Sequence, residues 1–269
     1  MKPAPFDYHS PSSLSEAIAL KAEFGADAAV LAGGQSLVPL LNMRLARPSA
    51  LVDLNRIDEL RYIRRDEGGI AIGAMTRQRE LERSDEAWRA CPLLREALLN
   101  VAHVIIRNRG TVGGSIAHAD AAAELPAVLV VLGGTVTAAG SEGTRTIPAD
   151  DFFLFHFTTA LEPDEIVTEI WFPELPQAGG YAFLELSRRH GDFALAGVAT
   201  VVANGRARFA FAGVGPRPIL VESEDPEVAA ASVQPAEDIH ATAEYRRELV
   251  RVLASRALEL ARRRAGGRP

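Results

Sequence analysis

The chain has 269 residues, 48% of them hydrophobic and 24% charged, the balance of a globular protein with core enough for one large domain or two smaller ones. A net charge of −6 without a basic face speaks against nucleic-acid binding, and one cysteine, Cys91, excludes a disulfide framework or an iron–sulfur cluster held by this chain alone. No apolar leader follows Met1 and no run of about 18 apolar residues occurs, so no membrane span and a cytoplasmic location are expected.

In chain order, Ser13 to Glu16 read as a capping box opening a helix with Leu14, Ala17, Ile18 and Leu20 on its apolar stripe and Gly25 at its C-terminal end. Residues 28–32 read as a buried strand running into Gly33 and Gly34, and residues 50–54 as a second, so residues 1–54 form a small α/β unit. Residues 62–64 and 70–72 flank a turn-rich stretch and predict a hairpin. Helices are expected near 77–83, 93–104 and 121–132, with a glycine-rich loop at 110–115 and strands at 135–139 and 166–172. Residues 173–180, with two prolines and two glycines, predict a linker. Beyond it come three strands, 181–188, 197–203 and 206–214, the last two joined by Asn204-Gly205, then helices at 225–232 and 241–264 and a frayed end at Gly266-Gly267.

Four segments can carry chemistry. Ala32, Gly33, Gly34, Gln35 and Ser36 follow a buried strand, where paired glycines let successive N–H groups converge on an anion and the next helix start adds its positive end; a tight strand-to-helix turn is the plain alternative. Thr111, Val112, Gly113, Gly114 and Ser115, preceded by Arg107 and Arg109, combine glycines, hydroxyls and guanidiniums in a pattern suited to a diphosphate, although a structural loop fits too. His118, Asp120 and Glu124 make a poor zinc site; Asp120 reads as a helix cap, and Glu124 as an acceptor for ribose or ribityl hydroxyls. The stretch Ser187 to Phe193 is either a salt-bridged turn, Asp192 pairing with Arg188 or Arg189, or a segment placed over a cofactor or at a partner surface. Neither G-x-G-x-x-G, Walker A nor G-x-S-x-G occurs, which argues against Rossmann, P-loop and hydrolase sites.

In order and spacing, Ala32 to Ser36 and then Thr111 to Ser115, continuing through Ala119 and Asp120 to Glu124-Leu125-Pro126, resemble the flavin-binding motifs of the medium subunits of carbon monoxide dehydrogenase-type molybdenum hydroxylases. Leu161 to Ile166, Arg188 to Ala194 and Ala243 to Arg247 extend the resemblance over essentially the whole chain. It implies an α+β fold: a two-subdomain FAD-binding domain of the vanillyl-alcohol-oxidase or PCMH type over residues 1–176, joined near Leu54 (subdomains 1–54 and 55–176), and a small C-terminal domain over 177–269 with a three-stranded sheet plus helices. It implies that the two glycine motifs wrap the FAD pyrophosphate, that Ala119, Asp120 and Glu124 belong to the cofactor-binding set, and that Leu161 and Leu184 lie near the isoalloxazine, Leu184 standing where some relatives carry lysine. It implies no catalytic residue and no metal on this chain.

By the same resemblance, electrons reach FAD from a small [2Fe–2S] subunit, the substrate is hydroxylated at a large molybdopterin subunit, the assembly is a dimer of heterotrimers, and the electrons leave to an external acceptor. With one cysteine, the chain lacks the cysteine-rich insert of relatives that reduce hydroxybenzoyl-CoA. Two other readings stay open: a self-sufficient FAD-dependent oxidoreductase acting on a small molecule, and a scaffold subunit whose glycines are mere turns.

Overall fold

The computed structural model describes residues 2–176 and 178–266; Gln177 of the expected linker and residues 267–269 of the expected frayed end lie outside them. The first unit comprises β1 (Asp7–His9), α1 (Leu14–Phe24), β2 (Ala28–Leu31), α2 (Leu37–Asn42) and β3 (Ala50–Asp53). The strands form a parallel sheet in the order β1-β3-β2, with all four residues of β3 buried, as the central place demands. Ser13 caps α1 by accepting the Glu16 N–H, but the Glu16 carboxylate takes the N–H of Ser12, not of Ser13, so the reciprocal half of the expected box is shifted by one residue. Gly25, at φ 53°, ends the helix as expected.

The second unit is built on a five-stranded antiparallel sheet. It comprises β4 (Ile63–Asp66), β5 (Gly69–Gly73), α3 (Gln78–Arg83), α4 (Asp85–Ala90), α5 (Pro92–Asn100), α6 (Val104–Arg107), α7 (Val112–His118), α8 (Glu124–Leu132), β6 (Thr135–Gly140), β7 (Gly143–Pro148), α9 (Ala149–Phe152), β8 (Phe153–Phe155), β9 (Thr158–Thr159) and β10 (Ile166–Pro173). The sheet order is β4-β5-β10-β6-β7: β10 slots between two hairpins, pairing Ile170 with Ile72 on one side and with Val136 on the other. The helix expected over 93–104 is broken into α5 and α6 around Ala102, which has a left-handed φ of 41°. The glycine-rich loop expected at 110–115 is instead the start of α7, capped by the Thr111 hydroxyl. Nor does Asp120 cap α8. Its carboxylate accepts the Ala122 N–H in a local turn, and the cap position falls to Ala123.

The third unit contains β11 (Gly180–Ser187), β12 (Ala194–Ala203), β13 (Arg206–Ala212), β14 (Ile219–Glu222), α10 (Pro226–Ala231) and α11 (Ala243–Ala265). Its sheet is a meander of four strands, not the three expected; β14 is only four residues long and follows a bend-rich stretch with two prolines, so it leaves little periodic signal. Asn204 and Gly205, at φ 51° and 76°, make the expected hairpin turn. A Cβ on Gly180 would run into the Ala261 carbonyl, so glycine there is what lets α11 lie directly on β11.

The units stack in layers. The almost fully buried α8 and the partly buried α5 lie between the five-stranded sheet and the four-stranded one, and α11 covers the outer face of the latter. One core therefore joins Ile72 and Ile170 of the one sheet to Phe183 and Ala210 of the other through Leu98, Leu125 and Leu129. The ends of this stack, with the small parallel sheet beside them, bound the cleft.

Candidate functional site

Both glycine motifs open onto one cavity of about 580 Å³, within the range of small-molecule and cofactor sites. Its walls come from all three units: residues 29–37 of the first, 110–120 and 161–167 of the second, and the turn at Gly191, Asp192 and Phe193 of the third. Gly33 and the chain at 109–110, some 75 residues apart in sequence, press together so closely that a Cβ on Gly33 would lie 2.5 Å from the Arg109 carbonyl oxygen and 2.8 Å from the Gly110 Cα. Across the same junction a Cβ on Gly114 would stand 3.4 Å from the Ala32 Cβ. The two segments form a single site.

What they offer differs. Gly33, Gly34, Gln35 and Ser36 all line the cavity, and none of their N–H groups has an acceptor among the described residues. Gly34, at φ 73°, supplies the left-handed turn that strings these donors together. In the second motif the N–H groups of Gly113 and Gly114 are already used, by the Ala74 carbonyl (2.9 Å) and the Thr111 hydroxyl (3.1 Å). Its glycines serve close packing instead: a Cβ on Gly113 would meet the Ala74 Cβ at 2.5 Å. The Thr111 N–H and the hydroxyls of Ser36 and Ser115 remain as donors without a partner among the described residues. Since α2 and α7 span only six and seven residues, these individual groups, rather than long aligned dipoles, provide the donor capacity.

The guanidiniums that sequence places beside this motif do not face the cavity. Arg107 is buried against the Glu82 carboxylate (2.8 Å) and the Val101 carbonyl (2.7 Å), and Arg109 contributes only its backbone to the junction. Lys21 is the one lysine or arginine lining the cavity among the described residues, and its ammonium is tied to the carbonyls of Gly25 (2.8 Å) and Ala28 (3.0 Å), with burial holding its pKa below the usual value. An anion here would therefore be held by N–H and O–H groups.

Glu124, the first residue of α8, lines the cavity at 6% exposure. Burial, and then the nearby Glu185, push its carboxyl up to about 8, so it is largely a neutral acid at pH 7, able to donate as well as accept. Burial likewise pushes Glu185 up to about 7, and its Oε2 is buried without a partner. Asp120 and Leu161 also line the cavity.

Three expected site residues do not line the cavity. Val112 is buried in the core, its N–H on the Thr76 carbonyl. Ala119 ends α7 at φ 51° and accepts the Phe157 N–H. Leu184 packs on the α11 side of the four-stranded sheet, because strand alternation turns Phe183 and Glu185, not Leu184, toward α8 and the cavity end. Conversely, sequence offers no signal for Lys21, Met75, Gln78 or Ile106 as lining residues, whereas His118, inside the second motif, does line the cavity. Arg188 and Asp192 do form an ion pair, at 3.8 Å, and Gly191, Asp192 and Phe193 of the same turn line the cavity.

The family described as the FAD-binding domain in molybdopterin dehydrogenase matches residues 4–175. The chain belongs to this family. It is 43% identical, over 98% of its own length and 97% of the relative's, to the 6-hydroxypseudooxynicotine dehydrogenase complex subunit alpha of Paenarthrobacter nicotinovorans. Among solved structures it matches a carbon monoxide dehydrogenase from Hydrogenophaga pseudoflava lacking the Mo-pyranopterin moiety, with a TM-score of 0.93 at 38% identity over 98% of this chain and 99% of that one. It also matches the quinoline 2-oxidoreductase of Pseudomonas putida 86, with a TM-score of 0.89 at 36% identity over 99% of both chains. The cofactor of the family is FAD, and the protein is an oxidoreductase subunit. The residues fit that group: a run of N–H donors without partners among the described residues for the diphosphate, glycines that let the two segments meet at one junction, and a largely apolar cavity.

Proposed function

We propose that this chain is the FAD-carrying relay of a molybdenum-dependent dehydrogenase: it takes electrons from the [2Fe–2S] clusters of a small subunit, fed by a large molybdopterin subunit, within a dimer of heterotrimers, and passes them to an external acceptor. Bound FAD supplies the exchange between single electrons and electron pairs, chemistry that no side chain offers. The chain's own part is to bind, orient and shield. The N–H groups of residues 33–36 and Thr111, with the Ser36 and Ser115 hydroxyls, hold the diphosphate; Gly113 and Gly114, packed on Ala74, Thr111 and Ala32, hold the two segments together beside it. Asp120 and the neutral Glu124 meet sugar or ribityl hydroxyls, and Leu161 with the turn at Asp192 and Phe193 shields the flavin end from water.

The observation that carries this reading is the junction of Gly33 with the chain at 109–110 over a row of unpaired N–H groups. That the chain spans nearly the full length of relatives named as medium chains or subunits supports the subunit role over the self-sufficient one. The division proposed is residues 1–176 for FAD and 177–269 for the C-terminal domain. Co-expression with the neighbouring genes tests it: the expected product is a complex containing molybdenum, iron and FAD, whose flavin is bleached by the complex's substrate. Recovery of a fully active monomer that oxidises a substrate unaided would overturn it.

A further inference from the structure

The junction of the two glycine motifs is held from behind by residues that do not reach the cavity. The Asn55 amide lies just past β3, and its Nδ2 donates to the Ala32 carbonyl at 2.9 Å. The Asp53 carboxylate fixes that amide, accepting from the Asn55 N–H (2.9 Å) and Nδ2 (2.5 Å), and is itself bonded by the Tyr8 hydroxyl (2.5 Å). From the second unit, Arg77 reaches across: one terminal nitrogen donates to the Asn55 Oδ1 at 2.6 Å and the other to the Arg109 carbonyl. That carbonyl is the one against which Gly33 is pressed.

Arg77 is itself held. It stands at the start of α3, with its N–H on the Glu80 carboxylate (2.9 Å), and its neighbours anchor the same strand-like contact: Gln78 N–H to the Gly110 carbonyl (2.9 Å) and Val112 N–H to the Thr76 carbonyl (3.0 Å). A continuous path thus runs from the Ala32 carbonyl through Asn55 and Arg77 to the Arg109 carbonyl, linking the residue before one glycine pair to the backbone just before the other. A planar guanidinium presenting two donors in fixed geometry can set a spacing in a way that a flexible ammonium cannot.

We propose that Asn55 and Arg77 form a clamp that sets the separation of the two glycine motifs, and so fixes FAD affinity without touching the cofactor. This rests on the reading of the cavity as the diphosphate site. A row of N–H donors binds an anion well only when the backbone that carries it is held in place, and the segment on which Gly33 packs is the one that Arg77 holds. The sequence signal is slight: an arginine before a helix and an asparagine after a strand, 22 residues apart and alike in no motif.

The test is FAD titration of the full chain, with Arg77→Ala, Arg77→Lys, Asn55→Ala, the double alanine variant and Gly114→Val, alongside thermal unfolding of each apoprotein. Losing a charged hydrogen bond in this position predicts a fall in FAD affinity of about 10- to 100-fold for Arg77→Ala. Arg77→Lys should recover part of it, and the double variant should lose no more than the worse single one, because both residues belong to one path. If Arg77→Ala does not fold, Asn55→Ala carries the same test, since it cuts the link to Ala32 and leaves Arg77 on Arg109. Additive losses, or unchanged affinity in Arg77→Ala and Asn55→Ala while Gly114→Val abolishes binding, would overturn the clamp and leave the diphosphate site standing. Unchanged affinity in Gly114→Val would overturn both.

Discussion

The sharpest electrostatic consequence of the fold is the burial of Glu124. Its carboxyl, pushed up to about 8 by burial and by Glu185, holds a proton in the folded chain that it releases near pH 4.3 when unfolded. Between those values the folded state binds more protons than the unfolded one, so stability is greatest at the acid side of this window and falls as pH rises through it. At about 1.4 kcal/mol per unit, the loss between pH 5 and pH 8 is about 4 kcal/mol, which for a chain of this size lowers the melting temperature by roughly 10 °C. Glu124→Gln, uncharged and nearly isosteric, removes that slope: the variant should melt close to the wild-type apoprotein at pH 5 and clearly above it at pH 8.5. Glu185, pushed up to about 7 by burial, leaves a loss of the same sign over a shorter pH window, which Glu185→Gln should then flatten. Thermal melts of apoprotein across pH 5 to 9 read this directly. Parallel curves for wild type and Glu124→Gln would refute the buried-acid account.

Other outcomes follow from the same contacts. Gly33→Ala places a methyl 2.5 Å from the Arg109 carbonyl oxygen and 2.8 Å from the Gly110 Cα, both backbone; an overpacking cost of about 1–3 kcal/mol should lower FAD affinity by about tenfold or more in a fluorescence titration. Arg109→Ala should leave FAD affinity within about twofold, because the guanidinium lies outside the cavity and the clamped carbonyl is retained; a loss beyond tenfold would return the side chain to the site. Arg246→Ala strips a buried guanidinium from Asp238 (2.6 Å) and from the carbonyls of Leu195 and Gly213, and should cost about 2–4 kcal/mol in denaturant unfolding.

Much of this was legible in the chain because local rules and tertiary structure agree. The capped α1, the Asn204-Gly205 hairpin and the strand running into Gly33-Gly34 each obey the pattern that predicts them. The failures have physical causes. Two adjacent glycines disfavour a helix, yet α7 forms, because only residues without a Cβ fit against Ala74 and Thr111. Arg107 and Arg109 looked like phosphate ligands by proximity in sequence, but the α6–α7 turn points one into the core against Glu82 and leaves the other outside the cavity. Strand alternation, which a sequence match does not resolve, sets Leu184 on the α11 side of its sheet and Glu185 on the side of Glu124. Lys21 and Gln78 carried no motif at all, since a cavity wall is assembled from whatever neighbouring helices present to it.

The most direct measurement is a crystal structure of the full chain loaded with FAD. The account predicts the diphosphate within hydrogen-bond distance of the N–H groups of residues 33–36 and of the Ser115 hydroxyl, with Arg77 still bridging Asn55 and the Arg109 carbonyl behind them. Density for FAD away from this junction, or a diphosphate held by Arg107 or Arg109 side chains, would contradict it.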